Sequence, residues 1–266
     1  MDNRPIGLLD SGLGGLSVWR ELIKQMPNES TLYIADQINC PYGPRPEAEI
    51  RELTGKMIRH LEESDCKMIV IACNTATAAS IRWAREYFTV PFVGIEPAIK
   101  PAVSQTRSGV VGILATEGTF VGRHFQDAVE KYAGESKLIM RVGEGLVELV
   151  ESGKLSGPEV KELLNTYLEP MLRADADQIV LGCTHYPFLQ TEMEEIVGDR
   201  ATIIDPSPAV VRHIYRRLSK MDALAPSDQF ASHQFFTSGQ PESMDPMLDY
   251  LGRQERAAHW EPRDFY

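Results

Sequence analysis

Residues 69–75 read IVIACNT, and residues 179–185 read IVLGCTH. Each stretch is an apolar, β-branched run that ends in a small residue, a cysteine and polar side chains, a pattern typical of a buried parallel strand and the loop after it. Two further pairs of segments resemble each other, residues 6–11 with 111–116 and residues 95–97 with 204–206. The three pairs occur in the same order along the chain. The members of each pair are separated by roughly 105 to 110 positions, so the chain is predicted to contain two similar halves.

The rest of the chain alternates short apolar runs with longer amphipathic stretches, which predicts strand-helix units in mainly parallel sheets. The predicted strands are 6–9, 31–34, 68–72, 91–95, 109–114, 137–142, 178–181 and 201–204, and the clearest helices are 16–25, 47–63 and 156–174. We predict an α/β protein with two similar domains related by pseudo-two-fold symmetry and an active site in the cleft between them. The expected domains are residues 1–97 plus 207–266 and residues 98–206.

The composition is that of a globular protein with an acidic balance. The 266 residues carry a formal net charge of -11, with a pI of about 5.1. Nucleic acids and anionic membranes recruit clustered Lys and Arg, so neither is expected as a partner. No apolar run approaches the roughly 20 residues that cross a bilayer. The four cysteines have no regular spacing and no signal peptide precedes them, so free thiols in a cytoplasmic protein are expected.

Polar residues stand at the predicted strand ends, where open parallel sheets bind ligands. They are Asp10, Ser11, Cys73, Asn74, Cys183, Thr184 and His185. A lone buried cysteine usually fills space, and Cys66 fits that description. Cys73 and Cys183 differ because each is followed by polar residues, and a helix start next to a thiol lowers its pKa. Equivalent positions in two halves would place these two thiols on opposite sides of one cleft.

Two opposed thiols suit inversion of an α-carbon, which needs a base on one face and an acid on the other. Asp10 could serve Cys73, although a helix N-cap role is an equal alternative. His185, with Glu151, could serve Cys183, and a purely structural histidine is the alternative. Neutral donors to a substrate carboxylate are available at several positions. They are Asn74, Thr75, Thr116, Thr119, Thr184 and the backbone of Gly43.

Cofactor and metal chemistry find little support in the sequence. No lysine stands at these strand ends, so a pyridoxal phosphate Schiff base is not expected. The glycine-rich run at residues 10–17 lacks both the dinucleotide fingerprint and a Walker lysine. A zinc site of Cys73, Cys183 and His185 has poor ligand spacing. Two other functions remain open on the residues alone: a Cys-His thiol hydrolase or transferase, and an amino-acid binding protein with two lobes.

Six segments in order resemble the signature segments of the glutamate racemase family. They are DSGLGGLSV (10–18), CPYGPRP (40–46), ACNTATA (72–78), ATEGT (115–119), LGCTHYPFL (181–189) and FFTSGQPES (235–243). The resemblance runs from about residue 5 to residue 252, nearly the whole chain. It implies two α/β domains with the active site between them, no cofactor and a homodimer. It also implies that the small-molecule substrate is L-glutamate and that the product, D-glutamate, is used in peptidoglycan synthesis.

By this resemblance, Cys73 is the thiol that removes the α-proton of D-glutamate, and Cys183 acts on L-glutamate. Asp10, His185 and Glu151 match the acid-base helpers. Other matching positions hold substrate, and they are Ser11, Pro41, Tyr42, Gly43, Asn74, Thr75, Thr116, Thr119 and Thr184. The chain departs from the family pattern at Gln37-Ile38-Asn39 and at RVGEG (141–145), which are expected to shape the cleft entrance.

Overall fold

The computed structural model describes residues 1–262, so the last four positions of the predicted first domain lie outside the described residues. All eight strands predicted from the sequence are present, and two more follow near the end of the chain. The strands are β1 (Ile6–Asp10), β2 (Thr31–Ala35), β3 (Met68–Ile71), β4 (Phe92–Gly94), β5 (Val110–Ala115), β6 (Lys137–Val142), β7 (Gln178–Gly182), β8 (Thr202–Ile204), β9 (His233–Thr237) and β10 (Ala258–His259).

Helices follow most of the strands, as the alternating pattern predicts. They are α1 (Leu16–Gln25), α2 (Glu47–Glu63), α3 (Asn74–Tyr87), α4 (Ile99–Gln105), α5 (Glu117–Val121), α6 (Arg123–Tyr132), α7 (Leu146–Glu151), α8 (Pro158–Arg173), α9 (Gln190–Val197), α10 (Ser207–Lys220) and α11 (Asp245–Tyr250). The predicted bounds of α1 and α2 are confirmed. Helix α8 begins at its proline, which suits the first helical turn because the missing N–H would have no partner there. Within residues 1–262, no helix is long and apolar enough to cross a membrane.

The strands form two sheets in which every pairing is parallel. The first sheet has the order β10-β9-β2-β1-β3-β4, and the second has the order β6-β5-β7-β8. In both, the first strand of the half lies between its second and third strands. Leu8 of β1 pairs with Val70 of β3, and Ile113 of β5 pairs with Val180 of β7 at the corresponding places. The predicted α/β class with two similar parallel sheets is therefore confirmed.

Strands β9 and β10 were not predicted, and they extend the first sheet beyond β2. β9 pairs with β2 along its whole length, from Thr31 with His233 to Ala35 with Thr237. Its Phe235 packs edge-on against Trp19 of α1, with the ring centroids 5.0 Å apart. The last part of the described chain thus returns to the sheet that the first part begins.

The parallel arrangement decides where chemistry can take place. Because the strands of a sheet run the same way, their carboxyl ends meet at one edge, where loops and helix starts can bind a ligand. Asp10 ends β1, and Cys73 follows β3 by one intervening residue. In the second sheet Thr116 directly follows β5, and Cys183 directly follows β7. The two edges face each other across the site described next.

Candidate active site

The two carboxyl edges enclose one small cavity, and most of the predicted site residues line it. Its walls are Ser11, Pro41, Tyr42, Gly43, Cys73, Asn74, Thr75, Thr116, Val147, Cys183, Thr184 and His185. The cavity volume open to water is only ≈ 10 Å³. One water needs roughly 10–15 Å³, so the cavity must widen before an amino acid can enter. The site is therefore closed in this structure.

Cys73 is the N-cap of α3, and its sulfur lies at the first turn of that helix. Its Sγ accepts a hydrogen bond from the Ala76 N–H at 3.4 Å and lies 3.8 Å from Ser11 Oγ. Burial, together with the negative charge of Asp10, raises the pKa of Cys73 to about 12. The helix start does not offset this burial, contrary to the low pKa expected from the sequence. Cys73 therefore holds its proton in the closed site.

Asp10 is fully buried at the end of β1 and accepts hydrogen bonds on both oxygens. Oδ1 accepts from the Gly12 N–H at 2.7 Å and from Ser11 Oγ at 3.2 Å. Oδ2 accepts from Thr184 Oγ1 at 2.9 Å. Helix α1 begins later, after Gly15, with no side-chain cap, so Asp10 is not its N-cap. Burial raises the pKa of Asp10 to about 6, although nearby His185 opposes this.

Cys183, His185 and Glu151 form a connected row on the other side of the cavity. Cys183 Sγ lies 3.6 Å from His185 Nδ1, and His185 Nε2 lies 2.6 Å from Glu151 Oε1. Burial lowers the pKa of His185, but hydrogen bonds with Cys183, Cys40 and Glu151 outweigh it and raise the pKa well above its usual value. An imidazolium held by a carboxylate can stabilise a thiolate at Cys183.

Three threonine hydroxyls meet between the two sheets. Thr75 Oγ1 and Thr116 Oγ1 are 2.8 Å apart, and Thr119 Oγ1 lies 3.0 Å from Thr116 Oγ1. The backbone of Gly43 also reaches the second half, because its carbonyl accepts from the Gly118 N–H at 3.0 Å. A β-carbon on Gly43 would lie 3.1 Å from the Thr116 side chain, so this close approach favours glycine.

Some predicted site residues lie behind the cavity wall rather than in it. Asp10, Glu151 and Thr119 are outside the lining and contact it through Ser11, His185 and Thr116, respectively. The hydroxyl of Tyr42 donates to Asp36 at 2.6 Å, so its position in the wall offers the ring or backbone to a ligand. Asn74 Oδ1 is buried, and no residue among positions 1–262 donates a hydrogen bond to it, which leaves an acceptor available at the cavity.

Cys40 and Gln37 contact the predicted site but were not among the residues proposed from the sequence. Cys40 lies within the quoted CPYGPRP segment, and Gln37 lies in the run noted as a departure, yet neither segment contains a predicted strand end. Cys40, Glu151 and His185 each present a potential metal ligand atom, all within 4.8 Å of one another. The zinc set considered from the sequence differed, since it joined His185 to Cys73 and Cys183.

The fold and the site together are those of an α/β racemase with two similar domains. The chain belongs to the Asp/Glu/Hydantoin racemase family, whose sequence model matches residues 6–214. It is 44% identical to the glutamate racemase of Herpetosiphon aurantiacus over 241 residues, which cover 91% of this chain and 95% of that protein.

Solved structures agree with this assignment over nearly the whole chain. A glutamate racemase isoform from Bacillus anthracis is 32% identical, with a TM-score of 0.89 and coverage of 98% of both chains. The Escherichia coli glutamate racemase, solved with L-glutamate and the activator UDP-MurNAc-Ala, is also 32% identical, with a TM-score of 0.83. The match covers 96% of this chain and 97% of that one.

Proposed function

We propose that this protein racemises glutamate without a cofactor, using Cys73 and Cys183 as the two acid-base groups. The observation that carries the proposal is that these cysteines follow equivalent strands of two similar sheets and line one cavity. Racemisation needs such a pair, because one group takes the α-proton from one face while the other returns a proton to the opposite face. Glutamate as the substrate is supported by the similarity to glutamate racemases.

In the direction from L- to D-glutamate, Cys183 acts as the base. Its thiolate is stabilised by the His185 imidazolium, which Glu151 holds at 2.6 Å. The thiolate removes the α-proton, the electron pair stays on the α-carbon, and Cys73 donates its thiol proton to the other face. The raised pKa of Cys73 suits it as a proton donor, since it keeps the thiol protonated until the carbanion forms.

In the direction from D- to L-glutamate, Cys73 must first give up its proton. Ser11 Oγ lies between Cys73 Sγ and Asp10 Oδ1, at 3.8 Å and 3.2 Å. With Ser11 donating to Asp10, the thiol can donate to Ser11, so a proton can pass from Cys73 to the carboxylate. Cys183 then donates from its thiol form. The two thiols are thus equivalent in position and activated by different neighbours.

Neutral donors and a helix start would hold the substrate. The hydroxyls of Thr75 and Thr116 can donate to carboxylate oxygens, whereas those of Ser11 and Thr184 already donate to Asp10. The N-terminus of the 14-residue helix α3 also favours an anion. The unpartnered Asn74 Oδ1 can accept a hydrogen bond from the substrate ammonium. Fixed donors of this kind stabilise the carbanionic state, because they need no reorganisation when charge develops.

The test follows optical activity and isotope incorporation together. L-glutamate and D-glutamate are each incubated with the protein in D2O, with L- and D-aspartate in parallel. Loss of optical rotation from both glutamate enantiomers, with solvent deuterium entering the α-carbon, is the expected result. Glutamate that keeps both its rotation and its α-proton would contradict the proposal, and aspartate turnover alone would reassign the substrate.

We also propose the finer properties that the family resemblance implies. These are a role in supplying D-glutamate for peptidoglycan, a location in the cytoplasm and a homodimeric state, which light scattering on the purified protein tests directly. The domain limits remain a proposal as well, with residues 1–97 plus 207–266 in one domain and 98–206 in the other. Their support is that β9 and β10, which follow residue 207, join the sheet of β1 to β4.

A further inference from the structure

Gln37 joins the edge of the first sheet to the acid-base row of the second. It begins the 3-10 segment Gln37–Asn39, shortly after β2. Its Nε2 donates to Glu151 Oε2 at 3.1 Å, and its Oε1 accepts from Thr237 Oγ1 at 2.7 Å and Ser243 Oγ at 2.9 Å. Every polar atom of this side chain therefore has a partner, and the partners come from both halves of the molecule.

The hydrogen bonds fix which way the Gln37 amide faces. Thr237 Oγ1 accepts from the Gly239 N–H at 3.0 Å, so its single proton is available for Gln37 Oε1. The amide oxygen therefore faces the end of β9, and the NH2 group faces Glu151. The Ser243 hydroxyl also lies 2.6 Å from the Gln240 carbonyl and shares its single proton, so Thr237 is the fixed donor to Gln37. Turning the amide over would break the bond from Thr237 and place the amide oxygen against the Glu151 carboxylate.

Glu151 depends on the first half of the molecule for two of its three hydrogen bonds. Oε1 accepts from the Leu13 N–H at 2.6 Å and interacts with His185 Nε2, while Oε2 accepts from Gln37. Burial raises the pKa of Glu151, but the bonds to His185, Leu13 and Gln37 outweigh it and hold the pKa below its usual value. The other titratable groups facing Glu151 are Asp10 at the end of β1, Tyr33 on β2 and Cys40.

We propose that Gln37 is a positioning residue that keeps Glu151 ionised and aimed at His185 when the two halves close, and so activates Cys183 only in the closed site. The inference rests on the proposed two-thiol function. When the halves separate, Gln37 and Leu13 withdraw from Glu151 and water replaces them. The carboxylate then stays charged but loses the two contacts that aim it at His185. Closure over the substrate and activation of Cys183 thereby become one event.

Two substitutions separate this role from simple packing. Gln37→Met keeps the length of the side chain and removes the donor to Glu151, so kcat is expected to fall about tenfold, the size of one charge-assisted hydrogen bond. Gln37→Glu places a second carboxylate beside Glu151. Like charges favour the protonated form, so the acidic limb of the kcat/KM profile is expected to move to higher pH by about one unit.

A direct readout is the titration of the Glu151 carboxyl carbon in protein labelled with ¹³C-glutamate, assigned by comparison with Glu151→Gln. Its midpoint is expected to rise in Gln37→Met and to rise further in Gln37→Glu. The matched control is Gln25→Met, because the exposed Gln25 amide donates to the Glu21 carboxylate at 2.6 Å on α1. That variant is expected to leave the profile and the Glu151 titration unchanged.

The outcomes distinguish this inference from the proposed function. A Gln37→Met protein with the wild-type acidic limb and the wild-type Glu151 titration would overturn the positioning role, even if its activity or melting temperature fell. If the wild-type protein does not racemise glutamate, the proposed function fails, and the carboxyl titration still decides whether Gln37 controls Glu151. Melting curves of each variant confirm that the titrations report on folded protein.

Discussion

Thr184 donates a hydrogen bond to Asp10 Oδ2 at 2.9 Å, and this bond joins the end of β1 to the residues after β7. Both side chains are buried. The sequence suggested that Asp10 serves Cys73, and the structure places its carboxylate between the two halves. One oxygen faces Ser11 and the Cys73 side, and the other faces Thr184 on the Cys183 side.

Asp10→Asn is expected to make the protein more stable and less active. In the folded protein the pKa of Asp10 is raised to about 6 from the ordinary 3.8. Between these two pH values the folded state therefore binds more protons than the unfolded state. The contribution of Asp10 to the free energy of unfolding is fully present below pH 4 and is lost as the pH rises through 6. Replacing the carboxylate should raise the free energy of unfolding at pH 8 by about 1–3 kcal/mol and leave little difference at pH 4.

The same Asp10→Asn protein should lose kcat by about 10²-fold, because the proton acceptor for the Cys73 side is gone. Urea unfolding at the two pH values and a polarimetric assay measure the two effects. A variant that is less stable than wild type at pH 8 would contradict the buried-charge argument. Unchanged kcat would separately remove Asp10 from the proton path.

Cys73→Ser and Cys183→Ser should each abolish interconversion of the enantiomers, with kcat reduced by at least about 10³-fold. Each variant should still exchange the α-proton of the one enantiomer whose base remains. Deuterium is expected to enter L-glutamate in Cys73→Ser and D-glutamate in Cys183→Ser, as ¹H NMR in D2O would show. Cys66→Ala is the matched control, because Cys66 is buried beside Leu61 and Gly7, away from the cavity.

The sequence was most informative where a strand is buried on both faces. The β-branched runs of β3 and β7 are apolar on both faces, which favours a parallel sheet covered by helices on both sides, and both strands were predicted. β10 has only the two exposed residues Ala258–His259, so no apolar pattern marks it. β9 depends on β2, about 200 positions away, and its HQFFT sequence contains too short a pattern to show that pairing.

The site residues that could be predicted are those at the ends of predicted strands. Cys73, Cys183 and Asp10 follow directly from the rule that ligands bind at carboxyl ends of parallel strands. Gln37 and Cys40 come from a 3-10 turn and the loop after it, where local sequence does not specify direction. Their approach to Glu151 and His185 is a product of how the two halves pack, and single-sequence patterns carry no signal for it.

Gly14→Ala should lower kcat by about 10- to 100-fold by displacing His185. A β-carbon on Gly14 would clash with His185 Nδ1, the ring atom that faces Cys183, and would lie 2.7 Å from Thr184 Oγ1. Both must shift, and a displacement near 1 Å at a reacting group can cost about 10²-fold. Steady-state kinetics measure the effect in both directions.

Gly7→Ala is the control for Gly14→Ala, since the nearest atoms to its added β-carbon belong to the Leu61 and Cys66 side chains, at 3.0–3.1 Å and away from His185. It should reduce the melting temperature and leave kcat unchanged. Equal losses of kcat in the two variants would show that Gly14 acts through general stability and not through His185.

Lys67→Met should destabilise the protein strongly without changing catalysis. Lys67 Nζ lies 2.6 Å from Glu29 Oε2, both side chains are almost fully buried, and Nζ also donates to the Asp2 carbonyl at 2.7 Å. Removing the cation leaves a buried carboxylate that, within the described part of the chain, keeps only the Ala225 N–H as a donor, which costs about 3–5 kcal/mol. Urea unfolding measures the loss of unfolding free energy.

Adding Glu29→Gln to Lys67→Met should recover part of that loss, because the unpaired charge is then gone. Lys67 and Glu29 precede β3 and β2, so the pair lies at the amino ends of the strands, opposite the edge that carries Cys73. kcat should therefore stay at the wild-type value in both variants at temperatures where they are folded. If kcat fell in Lys67→Met and fell further in the double variant, the amino ends of the strands would influence the thiols. That result would contradict the expectation that this end of the sheet contributes to stability and the opposite end to catalysis.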